Sequence, residues 1–468
     1  MGNEKCVSEK KKNLIGIYFI YGMLFFLFVF KMFFYANEIS AVPDQWAQLS
    51  YVVYMEKNPD KLIPEFENIK MYEVVAEFED GNSKILELEE DGTTCYLGHP
   101  PVYYKLIQMC DVIEIDGQHI YANITKISYL NILITSVTML MILYIGYNIL
   151  FKKNANWVMH FMYATICTCL PLYGYIGSGI NNDNLCNVGL VVFFLGVLSY
   201  FNIGYSARTY WLIGMGVLIS IFSKLTSGLI VILVCIIVAT FDVAKNRKAA
   251  IVCNKYFATT LPVYFLVLPY FVNIYVKYGS FQPSYASFVT EEEYINSQFY
   301  VDETARVSLT FWEDVAHFFK GLLNTWTSTY ERFYAVNRTG ILAIPFIIVL
   351  ILFLVHAGIK LYEYVKHRKY TTETISAAFA IAITITILIH FRMHRNTYLA
   401  AGYLGGYQAR YYMPCLPVIA CGGTQLLCDS INRKNAIQRR VIERSVILLS
   451  CLMIYADFFY YIYSYYRL

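Results

Sequence analysis

Four ionisable residues, widely separated in the chain, have the types that acid–base and anion chemistry at a membrane surface would need: Asp44, Asp183, Lys224 and Arg410. A carboxylate can take the proton of an acceptor hydroxyl. A fixed ammonium or guanidinium can hold a phosphate and stabilise the negative charge that builds on it. Asp44 lies in Pro43-Asp44-Gln45-Trp46, just after the first apolar run and before 47–55, a stretch amphipathic enough to lie in the interface. Capping of that helix is its plainer role. Asp183, in Ser178-Gly179-Ile180-Asn181-Asn182-Asp183-Asn184-Leu185, is a natural cap for the helix that follows, and the short turn also pins it near the outer surface. Arg410 begins a late apolar run, and an ionisable group at membrane depth is by default a functional-site candidate.

Other candidates accompany these four. His99-Pro100-Pro101-Val102-Tyr103-Tyr104-Lys105-Leu106 pairs prolines that fix the start of a helix with an aromatic run suited to the headgroup layer. His99 could bind a phosphate or position an acceptor, with Tyr103 beside it, although a lone histidine is more often structural. His390-Phe391-Arg392-Met393-His394-Arg395 is followed by Gly405-Gly406-Tyr407-Gln408-Ala409-Arg410-Tyr411-Tyr412-Met413-Pro414. Arg392, Arg395 and Arg410 face outward against the usual charge bias and call for an anionic partner, for which the guanidinium fork suits phosphate. Gln408 and Tyr411 flank Arg410 as positioning residues. Lys31, near the end of the first apolar run, is expected to snorkel.

The elements that must carry these residues are apolar. Of 468 residues 57% are hydrophobic and only 15% charged, against roughly 25% charged in soluble domains, and many runs reach the ~20 residues that cross a bilayer. A soluble enzyme, a disordered chain and a nucleic-acid binder are excluded. The expected fold class is an all-α polytopic membrane protein, because helices alone satisfy their own backbone in lipid. Eleven segments fit, near 14–36, 127–150, 156–177, 185–205, 209–223, 225–241, 257–277, 340–363, 372–391, 411–429 and 445–464. The first is too long for a signal-peptide core and reads as a retained helix. The start Met-Gly-Asn-Glu-Lys-Cys resembles a myristoylation signal, but Cys6 stands where Ser or Thr is wanted. The fifth and sixth together span about 33 residues, roughly 50 Å as one helix, so Lys224 divides two short helices that meet near the outer leaflet.

Basic residues fix the direction. Lys10–Lys12, Lys152–Lys153, Lys245–Lys248, Lys366–Lys369 and the run from Arg433 to Arg444 fall on one side if the N-terminus is cytoplasmic and the C-terminus extracytoplasmic, which suits a multi-pass protein of the cell (plasma) membrane. Outward lie 37–126, 178–184, 278–339 and 392–410; the first holds 17 of the 34 acidic residues and six basic ones, and is expected to carry interfacial helices. The twelve cysteines have no metal-ligand spacing; Cys95 and Cys110 could pair in an oxidising space. No internal repeat appears, so 1–468 reads as a single membrane domain with outer loops at 37–126 and 278–339.

In order and sidedness, Asp44, His99-Pro100-Pro101-Val102-Tyr103-Tyr104, Asn181-Asn182-Asp183, Ser223-Lys224-Leu225-Thr226 and Gln408–Pro414 resemble the landmarks of GT-C membrane glycosyltransferases. The likeness is closest to bacterial relatives of protein O-mannosyltransferases and aminoarabinose transferases. It implies an inverting transferase that moves a sugar from a polyprenyl-phosphate donor to an acceptor hydroxyl on a lipid, wall glycan or protein. Asp44 would be the base, Asp183 the second acidic position, and Arg410 with Lys224 the donor-phosphate ligands. The family often carries Asp-Glu at the first motif and His three residues on; Gln45 and Gln48 stand there instead, which weakens a metal reading, so a divalent metal is possible but no cofactor is required. Rival readings are a flippase or transporter of lipid-linked sugars, a glycan polymerase or ligase, and a non-catalytic scaffold. Asn123-Ile124-Thr125 and Asn337-Arg338-Thr339 fit the glycosylation sequon on the outward side.

Overall fold

Long apolar runs fold as helices wherever no water is at hand to bond the backbone. In the computed structural model, which describes residues 2–38, 42–247, 250–327 and 340–466, the chain is mostly helical, at 72%. Among the described residues seven helical stretches are long and apolar enough to cross a membrane. They are Leu14–Asn37 within α1 (Gly2–Glu38), α4 (Ile124–Lys152), α7 (Asp183–Ile203), α9 (Leu225–Asn246), the pair α10 (Lys255–Phe265) and α11 (Val267–Tyr278), Ala343–His367 within α14 (Gly340–His367), and α15 (Thr374–Ala401). The remaining apolar runs are helical too: α5 (Trp157–Thr168) with α6 (Pro171–Gly177), the shorter α8 (Ala207–Ser223), α16 (Leu416–Asn432) and α17 (Ala436–Tyr466). The division at Lys224 is as expected: its backbone is extended, at φ −161° and ψ 132°, between α8 and α9. The sequon at 337–339 lies outside the described residues.

Three sequence expectations need correction. First, 37–126 carries strands as well as helices, against the all-α expectation. It holds a four-stranded antiparallel sheet, in the order β1 (Lys70–Asp80), β2 (Ser83–Thr94), β4 (His119–Asn123), β3 (Ile113–Asp116). Two hairpins close it, with Gly81 and Gly117 at φ +60° and +63°, the left-handed backbone that two-residue turns demand. Leu86, Leu88, Ile120 and Ala122 are buried, while Glu89, Glu90, Glu114 and Asp116 are exposed, so the acidity belongs mainly to the wet face. Nor does α2 (Gln45–Lys57) present one exposed apolar face: its residues from Ala47 to Met55 are all buried, packed against β1 and α3 (Val102–Gln108). Second, α15 continues past the expected end near 391 as far as Ala401, so Arg392 and Arg395 are helical rather than in a loop. Thr397-Tyr398-Leu399-Ala400-Ala401 has no helix breaker until Gly402. Third, Lys31 does not snorkel. It is 8% exposed and pairs with the buried Asp457 of α17, while Nζ also donates to the Thr168 carbonyl at 3.1 Å. Cys95 and Cys110 are both free.

Close helix packing sets the frame for the chemistry. Gly189 and Gly196 of α7 and Gly216 of α8 each lie where a side chain would overlap the backbone of the other helix. Small residues at such contacts let membrane helices approach closely, and here they bring the start of α7 beside the α8–α9 break. Gly358 of α14, by contrast, has nothing within 4 Å of the position a Cβ would take. Gly216→Ala is therefore expected to destabilise by ~1–3 kcal/mol, read as a lower thermal-unfolding midpoint in detergent. Gly358→Ala should leave the midpoint unchanged or raise it slightly. Equal effects of the two changes would contradict this packing.

Candidate functional site

Asp44 precedes α2 but does not use its side chain to cap it. Its backbone is left-handed (φ 60°, ψ 17°) and its carboxylate makes no cap bond. The Gln45 side chain instead accepts the Val42 N–H at 3.0 Å. Released from the helix, Asp44 Oδ1 accepts from the Tyr96 hydroxyl at 2.9 Å and Oδ2 pairs with Arg410 Nη2. Asn181 Nδ2 holds the preceding Pro43 carbonyl at 3.0 Å.

Asp183 is likewise not a capping side chain; Asn181 Oδ1 accepts its backbone N–H at 2.9 Å. Its Oδ1 takes the Lys224 ammonium at 2.6 Å, and Oδ2 lies 3.8 Å from Arg410 Nε, an ion pair without a hydrogen bond. The result is an alternating chain of charge, Asp44–Arg410–Asp183–Lys224. Three of these side chains are nearly sealed, at 5% for Arg410, 1% for Asp183 and 7% for Lys224, whereas Asp44 is 24% exposed. Tyr411 lies under both cations, with Lys224 Nζ 4.5 Å and Arg410 Cζ 5.6 Å from its ring centroid. Arg410 itself sits on a 3₁₀ turn, Ala409–Cys415, that leads into α16.

Polar atoms around this chain are incompletely used. Gln48 Oε1, His99 Nδ1, Asp183 Oδ2, Arg410 Nε and Gln408 Oε1 are buried and have no hydrogen-bond partner among the described residues. The same is true of Asn187, one turn beyond Asp183, and of the Ser220 and Ser227 hydroxyls that flank Lys224. Buried polar groups in proteins are nearly always satisfied, so these atoms have hydrogen-bonding capacity left over. Sequence reasoning missed Tyr96, Asn181, Asn187, Ser220 and Ser227. Asn187, four residues from Asp183 and followed by a long apolar run, carried a readable signal; Tyr96 carried none.

The other sequence candidates are distributed as follows. Tyr103 donates to Asn131 Oδ1 at 2.9 Å and accepts the Asn181 N–H at 2.8 Å, which props the turn that carries Asp183. His99 presents its carbonyl to Tyr51 at 2.9 Å. Arg395 lies apart from the charge chain, paired at 2.9 Å with Asp314 on α13 (Phe311–Thr327), which also bonds His394 at 2.9 Å. Arg392 is exposed on α15, with no ion pair among the described residues. The structure thus gathers Asp44, Asp183, Lys224, Arg410 and Tyr411, with His99, Tyr103 and Gln408 around them, and leaves Arg392 and Arg395 elsewhere. Asn123 of the first sequon uses its side chain to cap α4, at 2.9 Å from the Lys126 N–H.

Burial works to raise the Asp44 carboxyl, but the Arg410 charge and hydrogen bond, the Tyr96 hydroxyl and Lys224 outweigh it and hold the group below the usual carboxylate range. Burial, reinforced by Lys224 and despite the nearby carboxylates, pushes His99 down to about 3, so the ring is neutral at physiological pH. Among the described residues this site gathers no group of three histidine, cysteine or carboxylate side chains close enough to share a metal ion. The chain matches no protein-family model and no curated protein.

A carboxyl whose folded value is depressed stabilises the fold above its unfolded value, about 3.9, and that contribution fades as pH falls through the lower folded value. Asp44→Asn is therefore expected to lower the thermal-unfolding midpoint at pH 7, reflecting charge-assisted bonds worth ~1.5–3 kcal/mol. The gap from the unaltered protein should narrow as pH drops below about 4. A gap of constant size down to pH 3 would show that Arg410 does not hold this carboxylate.

Proposed function

We propose that the chain is an inverting glycosyltransferase of GT-C type, which transfers a sugar from a polyprenyl-phosphate donor to an acceptor hydroxyl on the outer side of the cell membrane. In this reading eleven segments cross the bilayer, the N-terminus is cytoplasmic, and the sheet-bearing region 37–126 stands outside above the charge chain. One observation carries the proposal: a carboxylate from the first outer region meets a guanidinium 366 residues later, beside a second Asp/Lys pair.

The chemistry asked of these groups is modest. The acceptor oxygen attacks the anomeric carbon as its C–O bond to phosphate breaks, and Asp44 takes the hydroxyl proton. The phosphate departs as a stable anion and needs no acid; it needs fixed positive charge, which Arg410 and Lys224 supply. Asp183 touches both cations and acts as a positioning residue, fixing where they point. Because Asp44 is itself paired with Arg410, a phosphate that draws the guanidinium to itself weakens that pair and returns basicity to the carboxylate. Alignment of donor and acceptor would supply much of the remaining rate.

Asp44→Asn is expected to abolish sugar transfer to acceptor in reconstituted vesicles while the protein still folds. Arg410→Lys should lower turnover by ~10²–10³-fold, the usual effect of losing one such donor group. Undiminished turnover in the Asp44 variant would remove that residue from the mechanism. Movement of labelled sugar-lipid across the bilayer with no new glycosidic bond would favour the flippase instead.

A further inference from the structure

A second charged cluster lies at the opposite end of α16, whose 17 residues extend about 25 Å at 1.5 Å per residue. Lys153 follows α4, His356, Lys360 and Glu363 lie on α14, Glu373 precedes α15, and Asp429 is on α16. Lys153 pairs with Glu373 and reaches Asp429 Oδ1 at 2.8 Å. Lys360 Nζ lies 2.6 Å from Glu373 Oε2, 3.4 Å from Glu363 Oε2 and 3.9 Å from Asp429 Oδ2. Lys369 also binds Glu363, at 3.2 Å, so three ammoniums face three carboxylates.

Ion pairing alone accounts for the lysines and the acids but not for His356. That residue is 0% exposed, and neither ring nitrogen has a hydrogen-bond partner among the described residues. One imidazole nitrogen, one Glu373 oxygen and one Asp429 oxygen all lie within 4.8 Å of one another. In a tetrahedral zinc site with bonds of ~2.0–2.1 Å, ligand atoms stand roughly 3.3 Å apart, so the separations between the three donors need shorten by at most about 1.5 Å.

We propose that His356, Glu373 and Asp429 bind a divalent transition metal of the zinc class, in exchange for the Lys153 ammonium. One imidazole and two carboxylates form a nitrogen–oxygen donor set of the kind Zn²⁺ accepts, with water in the fourth position. Two carboxylates neutralise the ion; departure of Lys153 frees Glu373 Oε1, while Lys360 stays on Glu373 Oε2 and, with Lys369, on Glu363. Lys153, 21% exposed at the end of α4, can swing its ammonium into water, whereas Lys360 at 5% cannot. The bound ion would clamp the middle of α14 to the start of α15 and the end of α16. Nothing in this site depends on the transferase reading, since its donors lie at the far end of α16 from Arg410.

The test uses the full-length chain in detergent, stripped with chelator and titrated with Zn²⁺ against a chromophoric competitor. The expected result is one site, weakened at least tenfold by His356→Ala, and tightened several-fold by Lys153→Gln because a competing cation is gone. Zn²⁺ should also raise the unfolding midpoint of the unaltered chain and not that of His356→Ala. Should His356→Ala fail to fold, Lys153→Gln still decides the matter. Zinc affinity unchanged or weakened in Lys153→Gln would overturn the proposal, as would affinity unchanged in a folded His356→Ala.

Discussion

The region around Arg410 depends on one constraint: charges removed from water must be paired where they lie. Arg410 cannot be buried at 5% exposure unless carboxylates meet it, and the two that do come from Asp44 and Asp183. Lys224 needs Asp183 for the same reason. The chain of four charges therefore ties the region after α1, the start of α7, the α8–α9 break and the turn before α16 into one unit. None of these segments is adjacent in sequence. Replacing any one charge leaves its neighbours buried and underpaired, so the site is also a structural keystone.

The neighbouring architecture follows from that demand. The backbone of Asp44 is left-handed, a conformation that short polar residues tolerate but do not favour. It persists because Asn181 fixes the Pro43 carbonyl on one side while Tyr96 and Arg410 hold the carboxylate on the other. Local strain of this sort endures where several partners determine it together, as is common at functional sites. Tyr103 and Asn131, in turn, brace Asn181, and the glycine contacts between α7 and α8 set how near Asp183 can come to Lys224.

How much of this could be read in the amino-acid order depends on the range of the interaction responsible. The helices were legible because hydrocarbon imposes its demand on each segment alone, and the break at Lys224 was legible because the run was too long for one crossing. The turn at Asn181-Asn182-Asp183 and the position of Arg410 just before a late helix could be read for the same reason. The sheet was hidden by its acidic wet face, although Asp80-Gly81 and Asp116-Gly117 spelled out two hairpin turns and Leu86 and Leu88 alternate with acids. Pairings between distant residues left no local trace: Lys31 finds Asp457 at a separation of 426, and Arg395 finds Asp314 on α13 at a separation of 81. Asp44 and Asp183 read as caps by type, and only the fold reveals that neither carboxylate caps its helix and that Asn181 takes the local contact at Asp183.

The unequal exposure of the four charges gives the site a direction. Arg410, Lys224 and Asp183 are sealed among helices, while Asp44 stays a quarter open at the base of the sheet-bearing region. A ligand drawn by positive charge must reach the cations by displacing part of the existing chain, and the weakest link, at 3.8 Å, is between Arg410 Nε and Asp183 Oδ2. Those two atoms are among the buried polar atoms without a hydrogen-bond partner. An anion in the proposed reaction would take the one N–H of Arg410 Nε before it has to break the pair with Asp44. In the proposed reaction the order of events follows: the donor phosphate engages the guanidinium first, Asp44 loses part of its compensating charge, and the acceptor then meets a stronger base on the side that faces water.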